Sequence, residues 1–330
     1  MKTNQIPGVQ PNRFRGLIAA PFTPFHADGS LNLDVIPDYA SLLRRRGVQS
    51  VFVCGTTGEG ASLTTEEREL VAEAWMRSAE PGLSVIVHVG GCALGEARRL
   101  AGHAARIGAA AFAALAPYFF KPASAAMLGE WCAGVASAAA SLPFYFYHIP
   151  SMTGVSLSMR EFLAAAEGIP NLAGIKYTHE DLADYAGSLH YRAGRYDLLF
   201  GRDELLYEGW MNGARGAVGS TYNYASPLYL QLIASLEEGD LERARMLQDK
   251  SIEMIAICNS AGVSHLAASK ALMSWLGVDC GPVRLPLAPI DAQQLQALEG
   301  RLEAAGYFEP SFGIDPLFQP AGGYAFRCGA

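Results

Sequence analysis

The chain alternates short apolar runs with longer helical patterns, and this regular order limits its fold more than any other feature. Within the runs the residues are not split into an apolar and a polar face, which is typical of strands covered on both sides. The eight runs are residues 17–20, 51–54, 84–89, 111–116, 144–148, 172–176, 197–200 and 216–219. The helical patterns between them are residues 34–46, 66–79, 95–107, 123–140, 158–167, 180–191 and 203–212. Eight strand–helix units in succession predict an α/β protein with a TIM (β/α)8 barrel.

An open, doubly wound sheet is the structural alternative, and one glycine-rich segment bears on it. The segment GTTGEG (55–60) does not have the G-x-G-x-x-G spacing of a dinucleotide-binding turn. It also lacks the lysine of a P-loop. The segment therefore favours the barrel over the open sheet.

The pattern changes near residue 226, after which only helical patterns follow. These are residues 226–238, 240–259, 264–276 and 291–304. Because eight strands already precede them, we expect a catalytic barrel over 14–225 and a C-terminal helical extension packed on it over 226–304. Residues 305–330 are rich in Gly, Pro and aromatic residues without periodicity, and we expect an irregular tail.

Charge and composition exclude several classes of partner. The net charge of −7 and the isoelectric point near 5.5 argue against nucleic acid or an anionic membrane as the partner. The first sixteen residues lack the apolar stretch of a signal peptide, and no run is long enough to span a membrane. The six cysteines show no C-x-x-C spacing, which fits a reducing cytoplasm. The seven histidines show no metal-ligand spacing, so we expect no metal site.

Active sites of such barrels lie at the carboxyl ends of the strands, so residues there are the candidates. Thr56 and Thr57 follow the second strand in a glycine-rich turn whose hydroxyl and N–H groups predict a small anion site. An ordinary turn capped by a threonine is the alternative. Asp203 and Glu204 follow the seventh strand, and Ser220 lies in a hydroxyl-rich turn after the eighth. These groups suit a polyhydroxylated ligand, although Asp203 at a helix N-cap is an alternative interpretation.

Tyr147 and Lys176 are the candidates for the chemistry itself. Tyr147 ends the fifth strand and can pass a proton if its hydroxyl lies near a reacting oxygen; aromatic packing is the alternative. Lys176 is one of five lysines and ends the sixth strand. In an apolar barrel mouth, desolvation lowers the pKa of such an amine and leaves a neutral nucleophile for carbonyl groups. The alternatives are a side chain that reaches solvent or one that pairs with Glu180 or Asp181.

Five motifs together resemble the pyruvate-dependent class I aldolases, the family of dihydrodipicolinate synthase and N-acetylneuraminate lyase. The motifs are GTTGE (55–59), YHIPSMTG (147–154), GIKYT (174–178), GRDE (201–204) and GSTYN (219–223). The resemblance runs from about residue 14 to residue 290, with the motifs in the family's order. It is closer to the N-acetylneuraminate lyase group, especially the animal-type enzymes.

The resemblance implies a role for each candidate residue. Lys176 would form an imine with the C2 keto group of an open-chain sugar acid, and Tyr147 would shuttle the proton as the C3–C4 bond breaks. The products would be pyruvate and N-acetylmannosamine, with no metal or organic cofactor. The implied binding residues are Thr56 and Thr57 for the pyruvyl carboxylate, and Thr178, Gly201, Asp203, Glu204 and Ser220 for the hydroxyl-bearing end. The family is usually tetrameric, so the resemblance also implies a homotetramer.

Two positions depart from patterns within the family. Met152 stands where the synthases have an arginine that binds the acid group of their second substrate, which argues against a synthase. Phe119 stands where many members have a tyrosine that reaches the neighbouring subunit's site, which leaves a proton relay through the interface open. The alternative functions are an aldolase for another 2-keto-3-deoxy sugar acid, a dihydrodipicolinate synthase-like enzyme, and a non-catalytic sugar-acid sensor. A sensor needs neither the lysine nor the tyrosine.

Overall fold

Eight parallel strands form a closed barrel in chain order, with β1 also paired to β8, in a computed structural model that describes residues 14–79 and 81–308. The strands are β1 Gly16–Ala19, β2 Ser50–Val53, β3 Ser84–His88, β4 Ala111–Leu115, β5 Phe144–His148, β6 Leu172–Tyr177, β7 Asp197–Phe200 and β8 Gly216–Gly219. Each agrees with its predicted run to within one residue at either end. The predicted TIM barrel is therefore confirmed.

Twelve α-helices lie within the described residues. They are α1 Ile36–Arg45, α2 Thr65–Ser78, α3 Leu94–Arg106, α4 Ala125–Ala136, α5 Pro150–Thr153, α6 Met159–Ala165, α7 Leu182–Leu189, α8 Leu206–Met211, α9 Tyr222–Glu238, α10 Leu241–Asn259, α11 His265–Leu272 and α12 Ala292–Ala304. Thr64 and Glu67 form a capping box at the start of α2, and Ser158 caps α6 by accepting a hydrogen bond from the Glu161 N–H. No described helix has both the length and the apolar character needed to cross a membrane.

The core has two layers, because the side chains of a strand alternate between its two faces. The barrel interior holds an apolar cluster that includes Ile18, Phe52, Ile86 and Tyr145. A larger cluster joins the outward faces of the strands to the surrounding helices. Burial on both faces explains why the strands read as unalternated apolar runs.

The first C-terminal helix packs on the barrel strands, and the later helices pack on the helices before them. Helix α9 packs on β1 and β8, and α10 packs on α8, α9 and the short turn Asp203–Leu205. Helices α11 and α12 then pack on α10. The proposed boundary at residue 225 falls inside α9, so the division into barrel and extension stays a prediction. Most of the predicted tail lies outside the described residues, which end at 308.

Candidate active site

Lys176 lies in β6 near the strand's carboxyl end and is only 4% exposed. Its Nζ atom is 4.0 Å from the centroid of the Phe52 ring and 3.9 Å from that of the Tyr147 ring. Burial lowers the pKa of its amine to about 7, and the negative charge of Asp203 opposes that shift. An amine with this pKa is about half in the neutral, nucleophilic form at neutral pH.

The structural alternatives for Lys176 are wrong. Its side chain does not reach solvent. Glu180 instead pairs with Arg202, with 2.9 Å between Oε1 and Nη2. Asp181 caps helix α7 by accepting hydrogen bonds from the N–H groups of residues 183 and 184. Lys176 is therefore held by the barrel wall and not by a surface ion pair.

Tyr147 lies in β5, paired in register with Lys176 in β6. Its hydroxyl is 3.3 Å from Oγ1 of Thr56. Burial raises the pKa of this phenol to about 12, while the Thr56 hydroxyl acts in the opposite direction. The pKa keeps the phenol protonated at neutral pH, so its hydroxyl can donate a proton and accept another in one relay step.

The turn Gly55–Glu59 follows β2 and presents polar groups to the barrel mouth. Thr56 is exposed and Thr57 is half-buried. Within the described residues, the backbone N–H groups of these two threonines donate no hydrogen bond. The turn does not itself start α2, because a single helical turn at Gly60–Ser62 comes between them. Unused N–H groups and the two threonine hydroxyls, of which that of Thr56 lies beside Tyr147, can bind a carboxylate.

Asp203 is buried and does not cap helix α8, which begins three residues later at Leu206. The N-cap interpretation of Asp203 is therefore wrong. Its Oδ2 atom instead accepts hydrogen bonds from the N–H and the hydroxyl of Thr221, at 3.0 and 2.6 Å. Gly219 makes room for this carboxylate, since an added Cβ there would lie 2.0 Å from Oδ1. The turn after β8 thus holds an acid that follows β7.

Burial raises the pKa of Asp203 to about 7, and the nearby charge of Glu204 adds to the rise. The Thr221 hydrogen bonds and the amine of Lys176 lower it. The pKa of the buried Lys176 amine therefore falls and the pKa of the buried Asp203 carboxyl rises, until both lie near 7. Buried groups with pKa values shifted in this way are typical of catalytic sites.

The other predicted binding residues follow the carboxyl ends of β6, β7 and β8. Thr178 Oγ1 is buried and has no hydrogen-bond partner among the described residues. Gly201 packs directly on it, because an added Cβ would lie 2.1 Å from that oxygen. Glu204 lies 3.7 Å from Nε of Arg202, and Ser220 is half-buried in the turn after β8. These residues lie on the same side of the barrel as Lys176 and Tyr147, and their role in binding stays a prediction.

His88 is a residue of the site that the sequence interpretation missed. It ends β3, and its ring lies edge-on to the Tyr147 ring with 5.7 Å between centroids. Nδ1 is 3.0 Å from the carbonyl oxygen of Cys54, and Arg68 donates to the His88 carbonyl at 2.8 Å. Burial, Arg68 and Lys176 all lower the pKa of His88, so the ring is neutral. The strand-end rule, applied to β3, includes this residue.

Comparisons with known proteins agree with this geometry. Residues 13–305 match the dihydrodipicolinate synthetase family. The N-acetylneuraminate lyase of Danio rerio is 39% identical over 88% of this chain and 96% of its own length. The structure of the N-acetylneuraminate lyase of Proteus mirabilis superposes with a TM-score of 0.86 at 42% identity, covering 89% of this chain and 99% of that one.

A third relative is a variant sialic acid aldolase. The structure of a catalytic lysine mutant of the sialic acid aldolase from Ruminococcus gnavus superposes with a TM-score of 0.84 at 27% identity, covering 88% of this chain and 94% of that one. The resemblance read from the five motifs is confirmed by all three relatives. The chain belongs to the dihydrodipicolinate synthetase family, in which its relatives at 39–42% identity are N-acetylneuraminate lyases.

Proposed function

We propose that this chain cleaves N-acetylneuraminate to pyruvate and N-acetylmannosamine by Schiff-base chemistry on Lys176. The observation that carries the proposal is the buried Lys176 amine, with its pKa near 7, packed against Tyr147 in a chain related to N-acetylneuraminate lyases. The enzyme class is a carbon–carbon lyase. A sensor needs no buried amine of this kind, so the sensor alternative has no support from the site.

The first step joins substrate and enzyme. The neutral amine of Lys176 attacks the C2 carbonyl of the open-chain sugar acid, and uptake of one proton with loss of water gives a protonated imine. We assign the neighbouring C1 carboxylate to Thr56 and Thr57. Their turn lies beside Tyr147, since the Thr56 hydroxyl is 3.3 Å from the Tyr147 hydroxyl. The remaining hydroxyl groups of the substrate would be bound by Thr178, Gly201, Asp203, Glu204 and Ser220.

The second step breaks the C3–C4 bond. The electron pair of that bond moves into the imine and gives a neutral enamine, while the C4 hydroxyl loses its proton and becomes the aldehyde of N-acetylmannosamine. Tyr147 is the relay for that proton, because a phenol with a pKa of about 12 passes protons through its hydroxyl and does not rest as an anion. The enamine then takes a proton at C3, and hydrolysis releases pyruvate.

This chemistry uses the protein's own amine as the electron sink, so we propose that the reaction needs no metal or organic cofactor. We further propose that the chain works in the cytoplasm as a homotetramer on small-molecule substrates, without nucleic acid or membrane partners. Support for association is the loop after β4, where the side chains of Phe119 and Phe120 are 75% and 85% exposed. Light scattering tests the assembly, and a monomer would contradict it.

Borohydride trapping tests the chemistry. Reduction in the presence of pyruvate should add the mass of a reduced pyruvate imine, located on Lys176 by peptide mapping. The variant Lys176→Met should show no adduct and no pyruvate release from N-acetylneuraminate. An unmodified wild-type protein would overturn the proposal.

Substrate assays separate the alternatives. Pyruvate release should be faster from N-acetylneuraminate than from other 2-keto-3-deoxy sugar acids, and the reverse order would favour another aldolase. Met152 is 63% exposed and offers no cation for the second acid group that a synthase binds. Ligand binding by Lys176→Ala together with an inactive wild type would instead identify a sensor.

A further inference from the structure

Glu59 closes the turn Gly55–Glu59 but has no part in the proposed chemistry. The residue is 4% exposed and has a φ of 52°, in the left-handed region that side chains other than glycine rarely adopt. A conformation of this kind persists only where surrounding contacts hold it. The contacts of its carboxylate therefore set the shape of the turn.

Those contacts come from helix α11 and from the irregular segment that follows it, and not from the barrel. Oε1 of Glu59 accepts a hydrogen bond from Nζ of Lys270 in α11 at 2.9 Å, and Oε2 accepts one from the backbone N–H of Arg284 at 2.8 Å. Both side chains of the Glu59–Lys270 ion pair are 1% exposed. Lys270 also donates to the Pro282 carbonyl at 2.7 Å.

A buried ion pair of this kind is rigid because each partner alone would be an uncompensated charge away from water. Nζ of Lys270 lies 4.2 Å from the centroid of the Phe25 ring, so an aromatic face covers the amine on another side. Glu59 thus has a fixed position relative to α11, which lies outside the strand–helix repeat of the barrel.

The turn is too tight to absorb a movement of Glu59. The N–H of Glu59 donates to the carbonyl of Thr56 at 3.0 Å, and the N–H of Gly60 donates to the carbonyl of Gly55 at 3.0 Å. An added Cβ on Gly60 would lie 2.0 Å from the carbonyl oxygen of Cys54. A shift of Glu59 therefore moves Thr56, whose hydroxyl meets Tyr147.

We propose that Lys270 is a positioning residue that acts through Glu59 to hold Thr56 and Thr57 where they accept the carboxylate of a 2-oxo acid. The proposal rests on the proposed function, since it assigns the turn to that carboxylate. It makes helix α11 part of the support of the active site. If the ion pair had only a structural role, its loss would lower the stability of the protein but would not discriminate between substrates with and without a carboxylate.

The test compares two ketones that differ in the carboxylate. Cyanoborohydride trapping on Lys176 is measured with pyruvate and with hydroxyacetone, which lacks the carboxylate, in the variant Lys270→Met. We expect the ratio of the pyruvate rate to the hydroxyacetone rate to fall at least about tenfold, the scale on which misplaced binding groups act. The matched control is Lys250→Met, which breaks the exposed Lys250–Glu253 ion pair (2.7 Å) and should keep the wild-type ratio.

A second variant keeps the test valid if Lys270→Met does not fold. In Glu59→Gln/Lys270→Met no buried charge is left unpaired, and the new carboxamide can still accept from the Arg284 N–H. We expect this variant to fold and to show a smaller fall in the same ratio. A wild-type ratio in either folded variant would overturn the inference.

The two proposals fail in different ways. A wild-type protein that cannot be trapped with pyruvate at all contradicts the proposed function. A wild type that is trapped normally, with an unchanged ratio in the variants, contradicts only the role of Lys270.

Discussion

Nζ of Lys176 lies 3.9 Å from the centroid of the Tyr147 ring, so the proposed nucleophile and the proposed proton relay are in direct contact. Aromatic faces attract a cation by about 0.5–2 kcal/mol, which alone would keep the amine charged. The pKa of Lys176 nevertheless falls to about 7, because the loss of water around the amine outweighs that attraction and the charge of Asp203. One contact thus excludes water from the amine and places the phenol beside it.

The first prediction concerns the pH dependence of imine formation. Below the pKa of about 7 the Lys176 amine is protonated and cannot attack a carbonyl, so the rate should fall as the pH decreases through 7. Cyanoborohydride trapping with pyruvate across this range, measured by intact mass, should give a midpoint near 7. A small-molecule primary amine under the same conditions is the control for the reductant. A midpoint near that of a free lysine would contradict the buried amine.

Asp203→Asn should move this midpoint to lower pH. The carboxylate raises the pKa of Lys176, so its loss favours the neutral amine at still lower pH. The carboxamide oxygen can still accept hydrogen bonds from Thr221, which keeps the fold comparable. The KM for the sugar acid should rise as well, because a proposed hydroxyl acceptor is lost. Asp181→Asn, at the exposed cap of α7, is the matched control and should leave the midpoint unchanged.

Tyr147→Phe should separate imine formation from bond cleavage. The variant keeps the aromatic ring against Lys176 but removes the hydroxyl, so trapping with pyruvate should persist. Loss of a proton relay should lower kcat by about 10²- to 10⁴-fold. Pyruvate release from N-acetylneuraminate measures kcat, and Tyr191→Phe, which removes a hydroxyl bonded to Glu167, should retain wild-type turnover. A wild-type kcat in Tyr147→Phe would exclude the phenol as the relay.

The local parts of this structure were predictable from the sequence. Unalternated apolar runs marked every strand of the barrel, because both faces of those strands are buried. The rule that barrel active sites lie at the carboxyl ends of the strands places Lys176 and Tyr147 at the same mouth from the sequence alone. The same rule applied to β3 would have included His88, which was missed because the run SVIVHV was interpreted only as a strand.

Contacts between distant segments were not predictable in this way. Glu59 and Lys270 are 211 positions apart, and no local pattern relates an acid in a turn to a lysine in a late helix. The N-cap interpretation of Asp203 failed for the same reason, since its hydrogen-bond partner Thr221 comes from the next strand–helix unit. Helix periodicity shows which residues are buried but not which polar group each of them meets.

Gly219→Ala tests whether the Asp203 carboxylate must lie where the structure places it. The new Cβ would lie 2.0 Å from Oδ1, so the carboxylate or the β8 backbone has to move. We expect a loss of about 1–3 kcal/mol in the free energy of unfolding, as for other overpacked sites, and a larger KM for N-acetylneuraminate. Urea unfolding and pyruvate release measure the two effects.

Gly300→Ala is the matched control for that variant. Gly300 lies in α12, and an added Cβ there meets no atom within 4 Å. Alanine in a helix interior is more favourable than glycine by about 0.5–1 kcal/mol, so this variant should be slightly more stable and fully active. If Gly219→Ala behaved like Gly300→Ala in both measurements, the site would tolerate a displaced Asp203, and the carboxylate would have no fixed role in binding the sugar acid.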